Sequence, residues 1–300
     1  MSHRILTTLT IIASAFLVVA NGSSAAQDLI DIWPELAPGE TTRSTGEKLP
    51  TRPEEVPPVT RVSGIARPTM TWHPAAEPNG MAAIILPGGG FARVVPDKEG
   101  TEAAAWLNQH GISGFVLSYR TTNMPKADAW QKPLQDIQRA LSVVRTQSER
   151  WAAHTKQLGI VAFSAGGQVG ARLLCDGGKR AYEPLDATDK VTHRPDFAVL
   201  VYPWNLYDDQ SKSLIADLKI PANCPPTFLI HTHDDRSTSL GTVLFYAGLK
   251  QHNIPAELHV YGNGGHGYGL RPVKGSDVAS WPTHAAHWLT TLKRPDAPQH

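Results

Sequence analysis

The stretch GIVAFSAGGQ, residues 159–168, sets one serine between an apolar run and a pair of glycines. A short run that is almost continuously apolar reads as a strand covered on both faces. The small residues Ala165, Gly166 and Gly167 let a helix begin directly against that sheet. Ser164 then occupies a tight strand-to-helix corner, its hydroxyl held off the sheet near the positive end of the helix dipole. The same residues also fit a plain helix N-cap followed by glycines that permit close packing. Taken alone, the stretch supports both readings.

Outward from this corner the pattern repeats. Further apolar runs lie at AAIIL (82–86), GFVLSY (114–119), FAVLVY (197–202), TFLIH (227–231) and ELHVY (257–261). Between them Leu134, Ile137, Leu141 and Val144 recur at helical spacing, as do Leu240, Val243, Leu244 and Ala247. DVASWPTHAAHWLTTL (277–292) reads as a closing helix with Pro282 in its first turn. Parallel strands need crossovers, so the predicted class is α/β, a mostly parallel central sheet with helices on both faces.

The segment before these runs is different. Residues 1–26 have a short polar start with Arg4, an apolar stretch to Ala20 and small residues at Ser24 and Ala26, the layout of a secretory signal peptide. An uncleaved membrane anchor is disfavoured because Thr7, Thr8, Thr10 and Ser14 interrupt a run already short for a span. Residues 27–60 are proline-rich and are expected to run extended over the surface until a strand begins. Residues 61–300 form the predicted single domain. The expected location is secreted or periplasmic, with no stable membrane association once the signal is removed.

With 28 Lys+Arg against 27 Asp+Glu, the net charge of +1 gives no basic surplus for nucleic acid or anionic lipid. Cys175 and Cys224 are too few for a disulfide scaffold, and the sequence leaves open whether they are bridged. No CxxC or HExxH spacing suggests a metal. His284 and His287, at i and i+3, lack a third ligand and read as a solvated helix face.

The rest of the chain bears on Ser164. A serine hydroxyl is a weak nucleophile until a base takes its proton, and the base needs an acid to orient it. THDDR ends one strand with Asp234 and Asp235, and GNGGHGYG ends the next with His266 in a glycine loop. The order Ser, Asp, His is that of α/β-hydrolase sheets. His231 and His233 flank the Asp pair and read as strand-end support for the acid, while His259 lies inside a strand. ILPGGGF (85–91) follows an early strand, and the N–H groups of Gly89 and Gly90 could converge with that of Ala165 on a developing oxyanion.

Together, PGGGF, AFSAGG, THDDR and GGHGYGLR, with the lead-ins DIWPELAPGE and RVSGIARPTMTWHPA, resemble the α/β-hydrolase serine esterases that include secreted acetyl xylan esterases. The resemblance runs from about residue 28 to the C-terminus. It implies Ser164 as nucleophile, His266 as base and Asp235 as acid, with Asp234 as the fallback. Two departures concern the motifs: Ala162 stands where G-x-S-x-G has glycine, and Pro87 where many lipases have histidine. The alanine is expected to crowd the elbow only slightly.

The implied activity is hydrolysis of short acyl esters, acetyl above all, on carbohydrates such as xylan or xylo-oligosaccharides, without metal or organic cofactor. Trp204 is a candidate platform for a sugar ring or a core residue. Proteins of this group are sometimes labelled xylanases, but a glycosidase needs two carboxylates flanking the sugar. The adjacent pairs Asp208/Asp209 and Asp234/Asp235 cannot do so. The alternatives are a prolyl-oligopeptidase-like serine peptidase and a catalytically silent carbohydrate-binding homologue. Oligomeric state is not legible.

Overall fold

The computed structural model describes residues 29–122, 127–151 and 155–292, so the expected signal peptide lies outside the described residues. The chain forms strands β1 (Leu29–Asp31), β2 (Thr45–Lys48), β3 (Val62–Ile65), β4 (Thr69–His73), β5 (Met81–Leu86) and β6 (Ser113–Ser118). These are followed by β7 (Gln157–Phe163), β8 (Ala198–Val201), β9 (Tyr207–Asp208), β10 (Ser213–Leu214), β11 (Thr227–Thr232) and β12 (Ala256–Tyr261). The α-helices are α1 (Glu102–Gln109), α2 (Gln131–Thr146), α3 (Ser164–Cys175), α4 (Leu240–Gln251) and α5 (Trp281–Thr291).

Eight strands make one sheet in the order β1-β4-β6-β5-β7-β8-β11-β12. The six from β6 to β12 run parallel, and β4 and β1 add antiparallel at one edge. The parallel strands are the six apolar runs, with ends shifted by at most two residues. The five from β6 to β11 are buried on both faces because alternate side chains serve different layers, while the edge strand β12 is only half-buried and exposes Val260. In β5, Ala82, Ile84 and Leu86 join the core under α2, α3 and α4, while Met81, Ala83 and Ile85 join the core under α1 and α5. Ile84 and Ile85 are both fully buried. Burial of that kind contributes ~1.5–3 kcal/mol per large aliphatic side chain. The closing helix begins with a 3-10 turn, Asp277–Ser280, and Pro282 falls in the first turn of α5, where no N–H is needed.

The proline-rich segment departs from its expected path, because it carries two short strands rather than only extended chain. β1 pairs with β4 in the main sheet and β2 pairs with β3 in a separate ribbon. Trp33 anchors the lead-in by donating its indole N–H to Asp136 at 2.9 Å. The fully buried Arg120 meets the same carboxylate and also donates to the Pro38 carbonyl at 2.6 Å. A buried ion pair satisfied this fully costs little to keep and much to break. Cys175 and Cys224 are free thiols, and burial pushes the Cys224 thiol up to about 12.

Candidate active site

Ser164 opens α3 directly after β7, and the helix N-cap position falls on Phe163 rather than on the serine. Its φ of 52° is left-handed, a region that costs a side-chain-bearing residue energy and is held only where surroundings enforce it. The enforcement is visible at Gly166, where an added Cβ would lie 2.3 Å from the Leu86 carbonyl oxygen. The Ala162 methyl, the departure from the glycine pattern, faces Gly170 one turn into the helix, where a Cβ would sit 3.1 Å away. The elbow therefore absorbs the methyl through a glycine on the neighbouring element.

Ser164 Oγ lies 2.7 Å from His266 Nε2, and His266 Nδ1 lies 2.6 Å from Asp235 Oδ2. Asp235 follows β11 and is buried. Burial opposes its charge, yet hydrogen bonds from His231, His266 and the Ser237 N–H outweigh it and hold the carboxyl well below the usual range. His231 bridges Asp235 (3.1 Å) to the Thr242 hydroxyl (2.8 Å). His233 is exposed, and among the described residues only its backbone is engaged, its N–H donating to the Tyr261 carbonyl. Asp234 points elsewhere: it accepts the N–H groups of Gly265 at 2.8 Å and Gly264 at 3.2 Å, and so ties down the loop that carries His266. Thr232 adds a second tie, its hydroxyl donating to the Gly265 carbonyl at 2.7 Å. The two adjacent aspartates thus divide the work, one on the imidazole and one on its loop.

The glycine loop after β5 is sorted by what each amide already does. Pro87 has no N–H, and its carbonyl accepts the Tyr119 hydroxyl at 2.6 Å. The Gly88 N–H is spent on Glu99 Oε2 at 2.7 Å. Gly89 and Gly90 find no backbone acceptor among the described residues, and both line the cavity that holds Ser164 and His266. Ala165 is fully buried in the first turn of α3. Arranged this way, free N–H groups stand beside a strained hydroxyl that touches an imidazole backed by a carboxylate. Such a set can move a proton and stabilise an oxyanion.

Glu99 was not visible as a site residue in the sequence. It lies in a π-turn, Asp97–Thr101, and is buried. Its Oε1 accepts the Tyr202 hydroxyl at 2.7 Å, and that hydroxyl accepts the Gly269 N–H at 2.8 Å. One buried carboxyl therefore links the glycine loop to the histidine loop. Burial pushes the Glu99 carboxyl up, against the two hydrogen bonds that favour its charge. Nothing in PDKEG distinguishes this glutamate from the half-buried Asp97 and Lys98 before it.

Trp204 lines three clefts, and its backbone N–H donates to the Ser164 carbonyl at 2.9 Å. One, of about 410 Å³, contains Ser164, His266, Gly89 and Gly90. A second, of about 500 Å³, is lined by Trp130, Trp204, Tyr207 and Phe91. Trp204 is half-buried, packs on Phe91 at 5.9 Å and still faces both of these clefts, so it serves as wall and core at once. His284 and His287 are exposed on α5, His284 stacking on His259, and no cluster of three metal-ligating side chains occurs among the described residues.

No protein-family model matches the chain. It is 27% identical over 218 residues to an acetylxylan esterase of Xylanibacter ruminicola, covering 65% of this chain and 42% of that protein. It is also 27% identical over 203 residues to endo-1,4-beta-xylanase B of Butyrivibrio fibrisolvens, covering 61% of this chain and 32% of that one. The chain therefore matches less than half the length of either relative. Among solved structures it is similar to an acetyl ester-xyloside bifunctional hydrolase of Caldicellulosiruptor lactoaceticus, with TM-score 0.69 and 25% identity over 90% of this chain and 98% of that one. An α/β hydrolase from a Medee basin deep-sea metagenome superimposes with TM-score 0.60 at 23% identity, over 83% of this chain and 99% of that one.

Proposed function

From a chain with the α/β-hydrolase fold that is similar to an acetylxylan esterase, we propose a serine-dependent carboxylic ester hydrolase that removes short acyl groups, chiefly acetyl, from xylan-type carbohydrates. The observation that carries this reading is the unbroken hydrogen-bonded chain from Ser164 through His266 to Asp235, set in the same cavity as Gly89 and Gly90.

In the proposed reaction His266 Nε2 takes the Ser164 proton as Oγ attacks the ester carbonyl. The N–H groups of Gly89, Gly90 and Ala165 stabilise the resulting oxyanion. The imidazolium returns its proton to the leaving sugar oxygen, which leaves Ser164 acylated. Water, deprotonated by the same imidazole, then releases the carboxylic acid and restores the serine. Asp235 stays ionised throughout, because its hydrogen bonds hold its carboxyl far below neutrality. Export to the cell exterior or periplasm fits a polymeric substrate, and among the described residues no helix is long and apolar enough to cross a membrane.

Glycosidic cleavage has less support. The two carboxylates lining the serine cavity are engaged elsewhere, Glu55 with Arg61 and Glu99 with Gly88 and Tyr202. Hydrolysis of 4-nitrophenyl acetate by the parent and by Ser164→Ala, followed by acetate release from acetylated xylo-oligosaccharides, tests the proposal. Turnover by the parent with a folded, silent variant is the expected outcome. Equal activity in both sinks the serine assignment. Cleavage of an aminoacyl-proline reporter without ester cleavage would favour the peptidase.

A further inference from the structure

The chain as a whole carries a net charge of +1, yet positive charge is concentrated at one place. Four cationic side chains, Arg52, Arg61, Arg93 and Lys98, line the cavity that contains Ser164 and His266. Against them stand Glu55 and Glu99. Glu55 is taken up by Arg61, with Arg52 3.8 Å away. Glu99 is buried and already accepts two hydrogen bonds from Gly88 and Tyr202. Arg93 and Lys98 are left over: both are half-buried, and among the described residues neither has a carboxylate within ion-pair distance.

Half-burying two cations that no close ion pair satisfies is costly unless something of opposite sign completes them. The cost of burial falls on both groups. Burial lowers the Lys98 ammonium from its ordinary value despite the opposing fields of Glu99, Glu55 and Glu102, and burial together with Arg61 and Arg52 lowers the Arg93 guanidinium. A concave, partly desolvated wall of one sign also focuses its field on whatever enters. The second cleft contrasts with it, because its one arginine, Arg172, is paired with Asp217 and stacked over Trp130 at 3.9 Å.

We propose that the serine cavity holds an anion subsite formed by Arg93 and Lys98, so that the preferred substrate is an acyl ester on a glycan carrying an acidic group next to the esterified sugar, as in a uronic acid. A uronate carboxylate and a sulfate ester share the chemistry, since either offers several acceptor oxygens to a guanidinium fork and an ammonium. The inference rests on the esterase reading for its substrate, but the binding site itself does not depend on Ser164 being reactive.

The test is calorimetric titration of the folded Ser164→Ala variant with methyl β-D-glucuronide, methyl β-D-glucoside and glucose 6-sulfate. In parallel, kcat/KM of the parent is compared on acetylated methyl glucuronide and acetylated methyl glucoside. The expected result is an anionic ligand bound about tenfold or more tightly than the neutral one, a preference that shrinks as salt rises from 20 to 300 mM. The same preference is lost in Arg93→Gln/Lys98→Gln. Preference for the glucuronide over the sulfate assigns a carboxylate, and the reverse assigns a sulfate. Equal binding of all three ligands, or a preference that survives the double substitution or is insensitive to salt, overturns the subsite. Circular dichroism of each variant checks that it is folded before its binding is read. The salt dependence of the unsubstituted protein gives a readout free of any substitution at these positions. Failure of the esterase reading shows as no ester turnover by the parent, while the binding titration still decides the anion subsite.

Discussion

Glu99 supports a test of how the site is held together. Glu99→Ala removes the acceptor for the Gly88 N–H (2.7 Å) and for the Tyr202 hydroxyl (2.7 Å), both in a buried setting. An unsatisfied buried donor costs ~1–3 kcal/mol, so the pair amounts to roughly 2–6 kcal/mol before any cavity term. The side chain reaches no substrate atom in the proposed reaction, so its effect on rate must come through the loop. Gly88 is wedged so tightly that an added Cβ would lie 2.6 Å from Glu99 Oε2 and 2.7 Å from the Ser164 Cβ. If the loop relaxes when Glu99 is gone, Gly89 and Gly90 move off the oxyanion position. Loss of one such donor lowers kcat by ~10²–10³-fold, which sets the scale of the effect.

Glu99→Gln keeps one acceptor oxygen and presents an NH2 to the other donor, so it loses about one hydrogen bond, ~1–3 kcal/mol. The penalty is softened because burial already disfavours the charged carboxyl. The assay is steady-state hydrolysis of 4-nitrophenyl acetate beside urea unfolding of each variant. The expected order of both kcat and stability is parent, Gln, Ala. A folded Ala variant with kcat within twofold of the parent would refute the loop-holding role. A Gln variant as damaged as the Ala variant would show that charge, not acceptor geometry, is what matters.

Other expectations follow from the same geometry. Gly88→Ala should lose activity even if it folds, since its methyl would collide with both Glu99 and Ser164; circular dichroism beside ester turnover separates the two losses. Asp234→Ala, which frees the Gly264 and Gly265 amides, should lower kcat by about tenfold through misplacement of His266, and a kcat equal to the parent's would remove that role. Asp235→Asn should lower kcat by up to ~10⁴-fold through loss of the oriented imidazole. Because its native pKa lies below the ordinary 3.8, the stability that Asp235 contributes is fully present above that value and is lost as pH falls toward the lowered one. Denaturant unfolding should therefore show a parent-to-Asn gap that is constant from pH 8 to about 5 and closes in stronger acid, and a gap that opens on acidification would contradict the sign. Trp204→Ala should lower kcat/KM on acetylated xylo-oligosaccharides about five- to tenfold relative to 4-nitrophenyl acetate, if the ring stacks on sugar; an unchanged ratio assigns it to packing alone.

The sequence by itself determined the parallel half of the sheet and the corner at Ser164. Strands buried on both faces are apolar at nearly every position, so β5, β6, β7, β8 and β11 read as near-continuous runs, and the half-buried edge strand β12 as a more mixed one. A tight strand-to-helix corner needs small residues, which AFSAGG displays. The same local rules put Asp235 and His266 at strand ends. They fall silent at β1 and β4, which are short, mixed in burial and paired antiparallel at the edge, where no single pattern is imposed.

Only the tertiary structure decided how Asp234 and Asp235 divide, because adjacent side chains point opposite ways and register is not written in the pair itself. It alone buried Glu99 and left Arg93 and Lys98 without a close ion pair among the described residues. Those facts depend on which distant groups arrive: Tyr202, 103 positions away, reaches Glu99, and His266, 102 positions from Ser164, reaches its hydroxyl. Apolar periodicity is a property of neighbours along the chain. The state of a charged or polar side chain is set by what the strand order folds against it.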